Sequence, residues 1–201
     1  MSTKIQTKEH PIIFNSEMVR AILEGRKTQT RRVIRPQPPQ GHTVAVCAYS
    51  RSGWAFSELM PNGMSGGCLC TAGEVRAPYG FVGDKLWVKE KHSLGGNGVF
   101  FPDSCDGTVH IAWQSARFMK KIFARIWLEI TNIRVERVQD ISEQDAEAEG
   151  TSKMHLDNLG QTWRTYKRGF ESLWDSINNK RGFSWDSNPF VWVIEFKVLE
   201  K

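Results

Sequence analysis

The chain has 201 residues, of which 40% are hydrophobic, so it can bury one sizeable core and is expected to form a single domain over residues 1–201. Its formal net charge of +5 and pI of about 9.1 favour an anionic partner such as nucleic acid. The polar first ten residues lack the apolar core of a signal peptide and no run of about 18 apolar residues occurs, so we expect a soluble, cytoplasmic protein with no membrane partner.

The first predicted elements are a short strand and a short helix. An apolar run in residues 11–15 predicts the strand. Asn15 or Ser16 can cap the helix through a side-chain oxygen that accepts from the first-turn amides. Apolar residues then recur at helical spacing, and Gly25 suits the end of the helix.

A dense cationic segment, residues 26–32, begins where that helix should end. Proline and glycine then become frequent and periodicity is lost, so residues 35–80 are interpreted as an insertion or long loop. Within it, residues 54–59 suit a small hairpin. A second insertion is predicted at about 91–116, because residues 94–107 are again glycine-rich.

Ordered structure is predicted around and after the second insertion. Gly83 and Asp84 signal a turn, and residues 85–90 predict a strand. A longer strand begins at Ile126, but its apolar alternation slips by one residue near Asn132, which predicts a bulge or break there.

Two helices and a last strand complete the predicted elements. Ser142 opens a capping-box variant, and its helix is expected to stop at Gly150. Aromatic and apolar residues at helical spacing from Trp163 to Ile177 predict a helix of about four turns. Residues 190–199 are apolar on both faces, which predicts a central buried strand.

The cysteines do not form a recognisable metal motif. Free thiols are expected, because no export signal places the chain in an oxidising compartment. The C-x-C spacing of Cys68 and Cys70 lacks the paired C-x2-C arrangement of structural zinc sites, so we predict no metal and no cofactor. The other zinc-ligand types nearby are Cys47, Cys105, His42 and His110.

Four blocks, in this order, resemble the ASCH family, a branch of the PUA-like proteins. Residues 22–31 resemble its G-R-K-T-x-T-x-R signature, and residues 83–86 resemble its glycine-aspartate turn before a strand. Residues 140–149 are similar to the helix after its long strand, and residues 193–197 to its closing strand. The greater length of the chain, together with the block at residues 174–178 and a tryptophan-rich end, is similar to ASCH-like proteins of bacteriophages and prophages.

The resemblance implies an α+β fold, a small β-barrel with surrounding helices and loop insertions, whose cleft accepts a nucleoside or an RNA. One bacterial branch of the family hydrolyses the acetyl amide of N4-acetylcytidine. Matched residue by residue, its catalytic groups correspond to Lys27 as the base, Thr30 as the nucleophile and Glu149 as the proton donor.

These residue types suit amide hydrolysis, which needs a nucleophile, a base and a proton donor for the leaving amine. A lysine acts as a base only if its pKa falls well below the ordinary value of about 10.4. The cations of Arg26, Arg31 and Arg32 favour such a shift if they are close in space. Glu149 is predicted in the last turn of its helix, where the negative end of the helix dipole disfavours an ionised carboxyl group.

Two other classes of function are open at this point. The first is a non-catalytic RNA- or nucleotide-binding module, in which cations hold phosphates and a tryptophan stacks on a base. Its binding residues would be Arg26, Lys27, Arg31, Arg32, Lys120, Lys121 and Arg125 with Trp87 or Trp113, although core packing also accounts for the tryptophans. The second is a phage assembly or host-interaction protein with an inactive ASCH fold. The sequence does not fix the ligand or the oligomeric state.

Overall fold

The structure is a computed structural model that describes residues 7–39, 42–46, 54–59, 65–68, 77–95, 98–104, 112–153 and 165–199. Three helices are described, α1 (Ser16–Leu23), α2 (Glu143–Ala148) and α3 (Tyr166–Asn178). The described strands are β1 (Glu9–Ile13), β2 (Gln29–Val33), β3 (His42–Val46), β4 (Trp54–Leu59), β5 (Ser65–Cys68), β6 (Lys85–Lys89), β7 (Ser93–Gly95), β8 (Gly98–Phe100), β9 (Trp127–Arg137) and β10 (Phe190–Val198).

The strands form three sheets. The largest has the order β1-β6-β9-β10-β2, and the two smaller ones are β3-β4-β5 and β7-β8. This mixture of parallel and antiparallel strands with separate helices confirms the predicted α+β class. None of the described helices is long and apolar enough to cross a membrane.

The chain divides into two compact units. Unit 1 comprises Met1–Thr28, Tyr79–Asn132 and Glu195–Lys201, and unit 2 comprises Gln29–Pro78 and Ile133–Ile194. The prediction of one domain over the whole chain stays a prediction.

In unit 1, β6 is hydrogen-bonded to two other strands. It runs parallel to β1 and antiparallel to β9, with Trp87 opposite Trp127. Alternate residues of β6 and β9 are buried, among them Leu86 and Leu128, so one face of these strands supplies the core. The predicted strands at 11–15 and 85–90 are confirmed, with β1 beginning two residues earlier than expected.

The predicted start and stop of α1 are both observed. The side-chain oxygen of Asn15 accepts a hydrogen bond of 2.8 Å from the amide of Met18, which caps the first turn. Gly25 follows the helix with a φ of 73°, a left-handed conformation that costs glycine little.

The glycine-rich parts of both insertions contain more strand than predicted. Residues 54–59 form one strand of the β3-β4-β5 sheet rather than a small hairpin of their own. In the second insertion, β7 and β8 pair as a hairpin, with Ser93 opposite Phe100. The loop interpretation was wrong there because short strands joined by glycines show little apolar periodicity.

The other predicted elements are largely confirmed. The prediction near Asn132 was a bulge or a break. Strand β9 runs through Asn132 without a break, and its burial stops alternating there because Thr131 and Asn132 are both exposed. Strand β10 is buried along most of its length and lies between β9 and β2, as predicted for a central strand. Helix α3 begins at Tyr166. Trp163, the first residue of the predicted helix, lies outside the described residues.

The core of unit 2 packs α2 and α3 against β10. Its buried members are Val138, Ile141, Ala146, Phe170, Trp174, Trp185, Val191 and Val193. The half-buried Val33 of β2 packs against the same cluster, so the face of β2 that carries Val33 points towards α2 and α3.

Candidate functional site

Lys27, the predicted base, is one of the most deeply buried side chains of unit 1. It is 1% exposed, and its Nζ lies 5.6 Å from the centroid of the Phe14 ring. Its backbone amide donates to the carbonyl of Ala21, the last turn of α1, which fixes the chain as it leaves the helix. A run of cations usually lies on a solvated surface, but the Lys27 side chain is buried.

The remaining signature residues of the cationic segment differ widely in exposure. Gln29, Thr30 and Arg31 at the start of β2 are all buried. Arg26 is exposed and pairs with Glu24, with Nε and Nη2 at 2.8 and 2.5 Å from the same carboxylate oxygen. Burial of consecutive polar residues requires partners on both faces of a strand, because successive side chains point in opposite directions.

Arg31 is the centre of an ionic network in unit 2. Its side chain is fully buried. Its Nη2 lies 2.9 Å from both Glu136 Oε2 and Asp145 Oδ2, and its Nη1 lies 3.4 Å from Glu149 Oε1. The guanidinium also lies over the ring of Phe170, 5.8 Å from its centroid. Arg31 therefore joins β2, β9, α2 and α3.

Arg134 of β9 is the second cation of this network. It contacts Glu136 through Nε at 2.5 Å and Asp145 through Nη2 at 3.0 Å. Two guanidinium groups thus face three carboxylates, which leaves the named set with one excess negative charge if all the acids are ionised. Glu149 is buried, whereas Glu136 and Asp145 are partly exposed, and charge-assisted hydrogen bonds hold all three in place.

Burial of Asp145 would by itself raise the pKa of its carboxyl group. The hydrogen bond from Arg31 and the nearby charges of Arg31 and Arg134 outweigh burial, so the pKa of Asp145 is lowered below its ordinary value. Asp145 is therefore ionised near neutral pH and is suited to orient cations rather than to donate a proton.

Glu149, the predicted proton donor, is 4% exposed and follows α2 as its C-terminal cap residue. Local sequence places it there: Ser142 Oγ accepts from the amide of Asp145 at 3.1 Å at one end of α2, and Gly150 has a φ of 81° at the other. The helix was predicted with these ends, and Glu149 lies at the position expected.

The structure brings together some predicted site residues and not others. Arg31 and Glu149 meet directly within unit 2. Thr30 also belongs to unit 2, but strand alternation directs its side chain to the face of β2 opposite Gln29 and Arg31. Lys27 belongs to unit 1.

Sequence reasoning missed three charged residues of the network, Arg134, Glu136 and Asp145. A signal was present for two of them, because Arg134 and Glu136 alternate along a strand and so share one face. Nothing in the sequence showed that this face would meet Arg31, since the residues are separated by more than 100 positions.

Arg125, predicted to bind nucleic acid, is engaged by carboxylates in unit 1. Its Nε and Nη2 lie 2.9 and 2.8 Å from the two oxygens of buried Glu90, and Nη2 lies 2.6 Å from Asp103. Burial alone would lower the pKa of Arg125, but its hydrogen bonds to Glu90 and Asp103 raise it overall. For Asp103, burial is likewise outweighed by Arg125, so its pKa is lowered.

The other predicted nucleic-acid residues of unit 1 lie nearer the surface. Lys120 is exposed, and Lys121 pairs with Glu9 while its Nζ lies 5.6 Å from the Trp127 ring centroid. Trp87 is half-buried against a small apolar cluster, as expected for a tryptophan that packs in a core rather than stacking on a base. Trp113 is also half-buried, beneath Lys91. Arg32 of β2, in unit 2, is half-buried as well.

Among the described residues, no group of three or more histidine, cysteine, aspartate or glutamate side chains is arranged to hold a metal ion. The predicted free thiols are not among the described side chains. Cys47, Cys70, Cys105 and His110 lie outside the described residues, as do the side chains of His42 and Cys68.

No protein-family model and no curated protein matches this sequence. Among solved structures, the chain is similar to the crystal structure of an ASCH domain from Lactobacillus crispatus, with a TM-score of 0.40 and 14% identity over 95% of this chain and 79% of that one. It is also similar to the crystal structure of a DUF984 protein from Enterococcus faecalis, with a TM-score of 0.40 and 9% identity over 99% of this chain and 79% of that one. The α+β class of the chain rests on its own mixed sheet and helices.

Proposed function

We propose that the protein is an ASCH-type nucleoside-binding protein that hydrolyses the acyl amide of an N4-acylated cytidine. One observation carries the proposal. The signature segment and the helix after the long strand, two blocks chosen from sequence alone, meet through Arg31 and Glu149, which are 118 residues apart. The Glu149 side chain is thereby held in a buried position in contact with the signature segment.

Burial of the three assigned residue types supports the proposal further. Lys27, Thr30 and Glu149 are 1%, 3% and 4% exposed, although an amine, a hydroxyl and a carboxyl group all lose hydration when they are buried. Polar groups of this reactivity are concentrated in buried positions at catalytic sites. A phosphate-binding surface would instead leave its cations in contact with solvent.

The proposed reaction uses each group once in each half. The Thr30 hydroxyl oxygen attacks the acyl carbon and its proton passes to the neutral amine of Lys27. Glu149 in its protonated form gives a proton to N4, the carbon–nitrogen bond breaks, and cytidine leaves. Water then attacks the acyl-threonine ester while the Glu149 carboxylate takes one of its protons. The Lys27 ammonium returns a proton to the Thr30 oxygen as the ester bond breaks, so the acid leaves and all three groups are restored. The proposal requires all three groups to reach one substrate.

The ionic network has a positioning role in this scheme. Arg31 contacts Glu149, and Glu136 and Asp145 hold Arg31 in turn. A carboxyl group held in this way loses little rotational freedom when substrate binds, which is the usual benefit of preorganised sites.

The test is hydrolysis of N4-acetylcytidine by the purified chain, followed as cytidine and acetate by chromatography. Glu149→Gln keeps the shape and one acceptor oxygen, and we expect it to lower kcat/KM by about 10²- to 10⁴-fold. Glu147→Gln is the matched control, because Glu147 is an exposed residue of the same helix, and it should change kcat/KM by less than about threefold.

Thr30→Val and Lys27→Met should abolish product formation as well, and thermal unfolding will show whether each variant is folded. The proposal fails if the wild-type chain releases no cytidine from any N4-acylated nucleoside tried. It also fails if folded Glu149→Gln hydrolyses N4-acetylcytidine as fast as the Glu147→Gln control.

A further inference from the structure

A short segment of unit 1, residues 115–124, presents its apolar side chains outwards. It consists of two 3-10 turns, Ala116–Phe118 and Lys121–Phe123, in the stretch that precedes β9. Phe118 and Ile122 are 71% and 83% exposed, the highest values among the exposed large hydrophobic residues that the structure describes. The two residues lie four positions apart in the sequence, and contiguous exposed apolar groups mark binding surfaces.

The segment is nevertheless firmly attached to unit 1. Met119 and Ala124 are buried in a small apolar cluster together with Phe101. Lys89 Nζ donates a hydrogen bond of 2.6 Å to the carbonyl of Arg117, and Ser115 caps the first turn. Phe118 and Ile122 therefore project from an anchored backbone, and their exposure is a property of the fold.

Cationic residues alternate along the sequence with the exposed apolar residues. Arg117, Lys120 and Lys121 fall within five residues, and residues 115–124 contain no acid. Lys121 pairs with Glu9, whereas Arg117 and Lys120 form no salt bridge with any residue of the described ranges. The surface thus combines an accessible aromatic ring with two cations whose charge is uncompensated by a described neighbour.

We propose that residues 115–124 bind single-stranded nucleic acid, with a base stacked on the Phe118 ring and backbone phosphates held by Arg117 and Lys120. Charge complementarity selects a polyanion. An exposed aromatic ring flanked in sequence by Arg117 and Lys120 supplies the stacking and phosphate contacts that bind a single strand. This surface uses none of the residues assigned to amide hydrolysis and goes beyond that function.

Substitution of Phe118 separates base stacking from simple apolar contact. Tyrosine keeps an aromatic face, whereas leucine keeps apolar bulk and loses the face. We expect Phe118→Tyr to bind a fluorescein-labelled oligouridylate like the wild-type chain, and Phe118→Leu to bind it about tenfold more weakly. Fluorescence anisotropy with the full chain measures both.

The cations are tested by charge-matched pairs. Arg117→Gln with Lys120→Gln should weaken binding and reduce the slope of log K against log salt by about 1.4, since each phosphate contact to a single strand contributes about 0.7. Lys180→Gln with Arg181→Gln, exposed residues of unit 2, removes the same two charges and should leave the slope unchanged.

Three results would overturn the proposal. One is no binding of oligouridylate by the wild-type chain below about 100 µM at moderate salt. Another is equal affinity of Phe118→Leu and wild type, and the third is equal weakening by both charge pairs. Absence of oligouridylate binding together with flotation on phosphatidylglycerol vesicles that Arg117→Gln with Lys120→Gln abolishes would instead assign the surface to lipid. Hydrolysis of free N4-acetylcytidine, assayed on the same variants, should not change, so failure here and failure of the hydrolase proposal can be told apart.

Discussion

Arg31 shows how strongly a single buried charge depends on its neighbours. Its guanidinium is buried, and three carboxylates and an aromatic ring contact it, while its Nε has no hydrogen-bond partner among the described residues. Arg134 contacts two of the same carboxylates but is 28% exposed on its side chain. The two arginines therefore share partners and differ in burial, which allows the effect of burial to be measured directly.

Arg31→Met should lower the free energy of unfolding by about 3–5 kcal/mol, because it leaves the buried carboxyl group of Glu149 without this cation. Arg134→Met should lower it by only about 1 kcal/mol, because water replaces much of a half-exposed ion pair. Urea unfolding, followed by tryptophan fluorescence, measures both. An equal decrease in the free energy of unfolding for the two variants would show that burial does not increase the contribution of Arg31 to stability.

The lowered pKa of Asp145 leads us to expect a specific dependence of stability on pH. Its pKa is lowered in the folded chain, so its contribution is present above the unfolded value of about 3.8 and is lost as the pH falls through the lower folded value. Asp145→Asn should therefore have a lower Tm than wild type near pH 6, with a gap that narrows below about pH 4. Glu171→Gln, in an exposed pair with Arg168, is the control and should give a Tm close to wild type throughout. A gap that stays constant down to acid pH would contradict the linkage.

At the scale of the element, α3 carries a glycine where helix propensity alone disfavours one. Gly169 lies inside the helix, and a Cβ built there would come 2.7 Å from the backbone carbonyl oxygen of Ser152. The absence of a side chain lets α3 approach the chain that follows α2. Close packing therefore accounts for the glycine, at the expense of helix propensity.

Gly169→Ala should destabilise the chain by about 1–3 kcal/mol, even though alanine gains nearly 1 kcal/mol in helix propensity. The physical reason is that a backbone oxygen cannot move aside as a flexible side chain can. Ser172→Ala in the same helix is the control, and it should be neutral or slightly stabilising. Thermal unfolding by circular dichroism measures both, and a higher Tm for Gly169→Ala would refute the steric explanation.

At the scale of the whole molecule, neither compact unit is a continuous piece of chain. The sequence passes from one unit to the other at residues 28/29, 78/79, 132/133 and 194/195. Two of these passages lie inside the strands β9 and β10. Unfolding one unit would therefore remove hydrogen-bonded residues from strands that also belong to the other.

We expect a single cooperative unfolding transition, with equal calorimetric and van't Hoff enthalpies in scanning calorimetry. We also expect a chain truncated after Asn132 to be unfolded, because it lacks the unit 1 part of β10. Two resolved transitions for the intact chain would show that the units are energetically independent.

The sequence by itself determined most of the local structure, and it supplied the residues of the proposed catalytic site. The ends of α1 and α2 were predictable because Asn15, Gly25, Ser142 and Gly150 act within one helical turn of their own positions. The family resemblance likewise selected the signature segment and Glu149 without knowledge of any contact.

Only the tertiary structure decided which of these groups are buried and which meet. The cationic run after α1 could have been a solvated face, yet Lys27 and Arg31 are buried. The partners of Arg31 are 105, 114 and 118 residues away. Such pairings depend on the strand order and on where α2 packs, and both are set by the burial of many side chains together rather than by any local pattern.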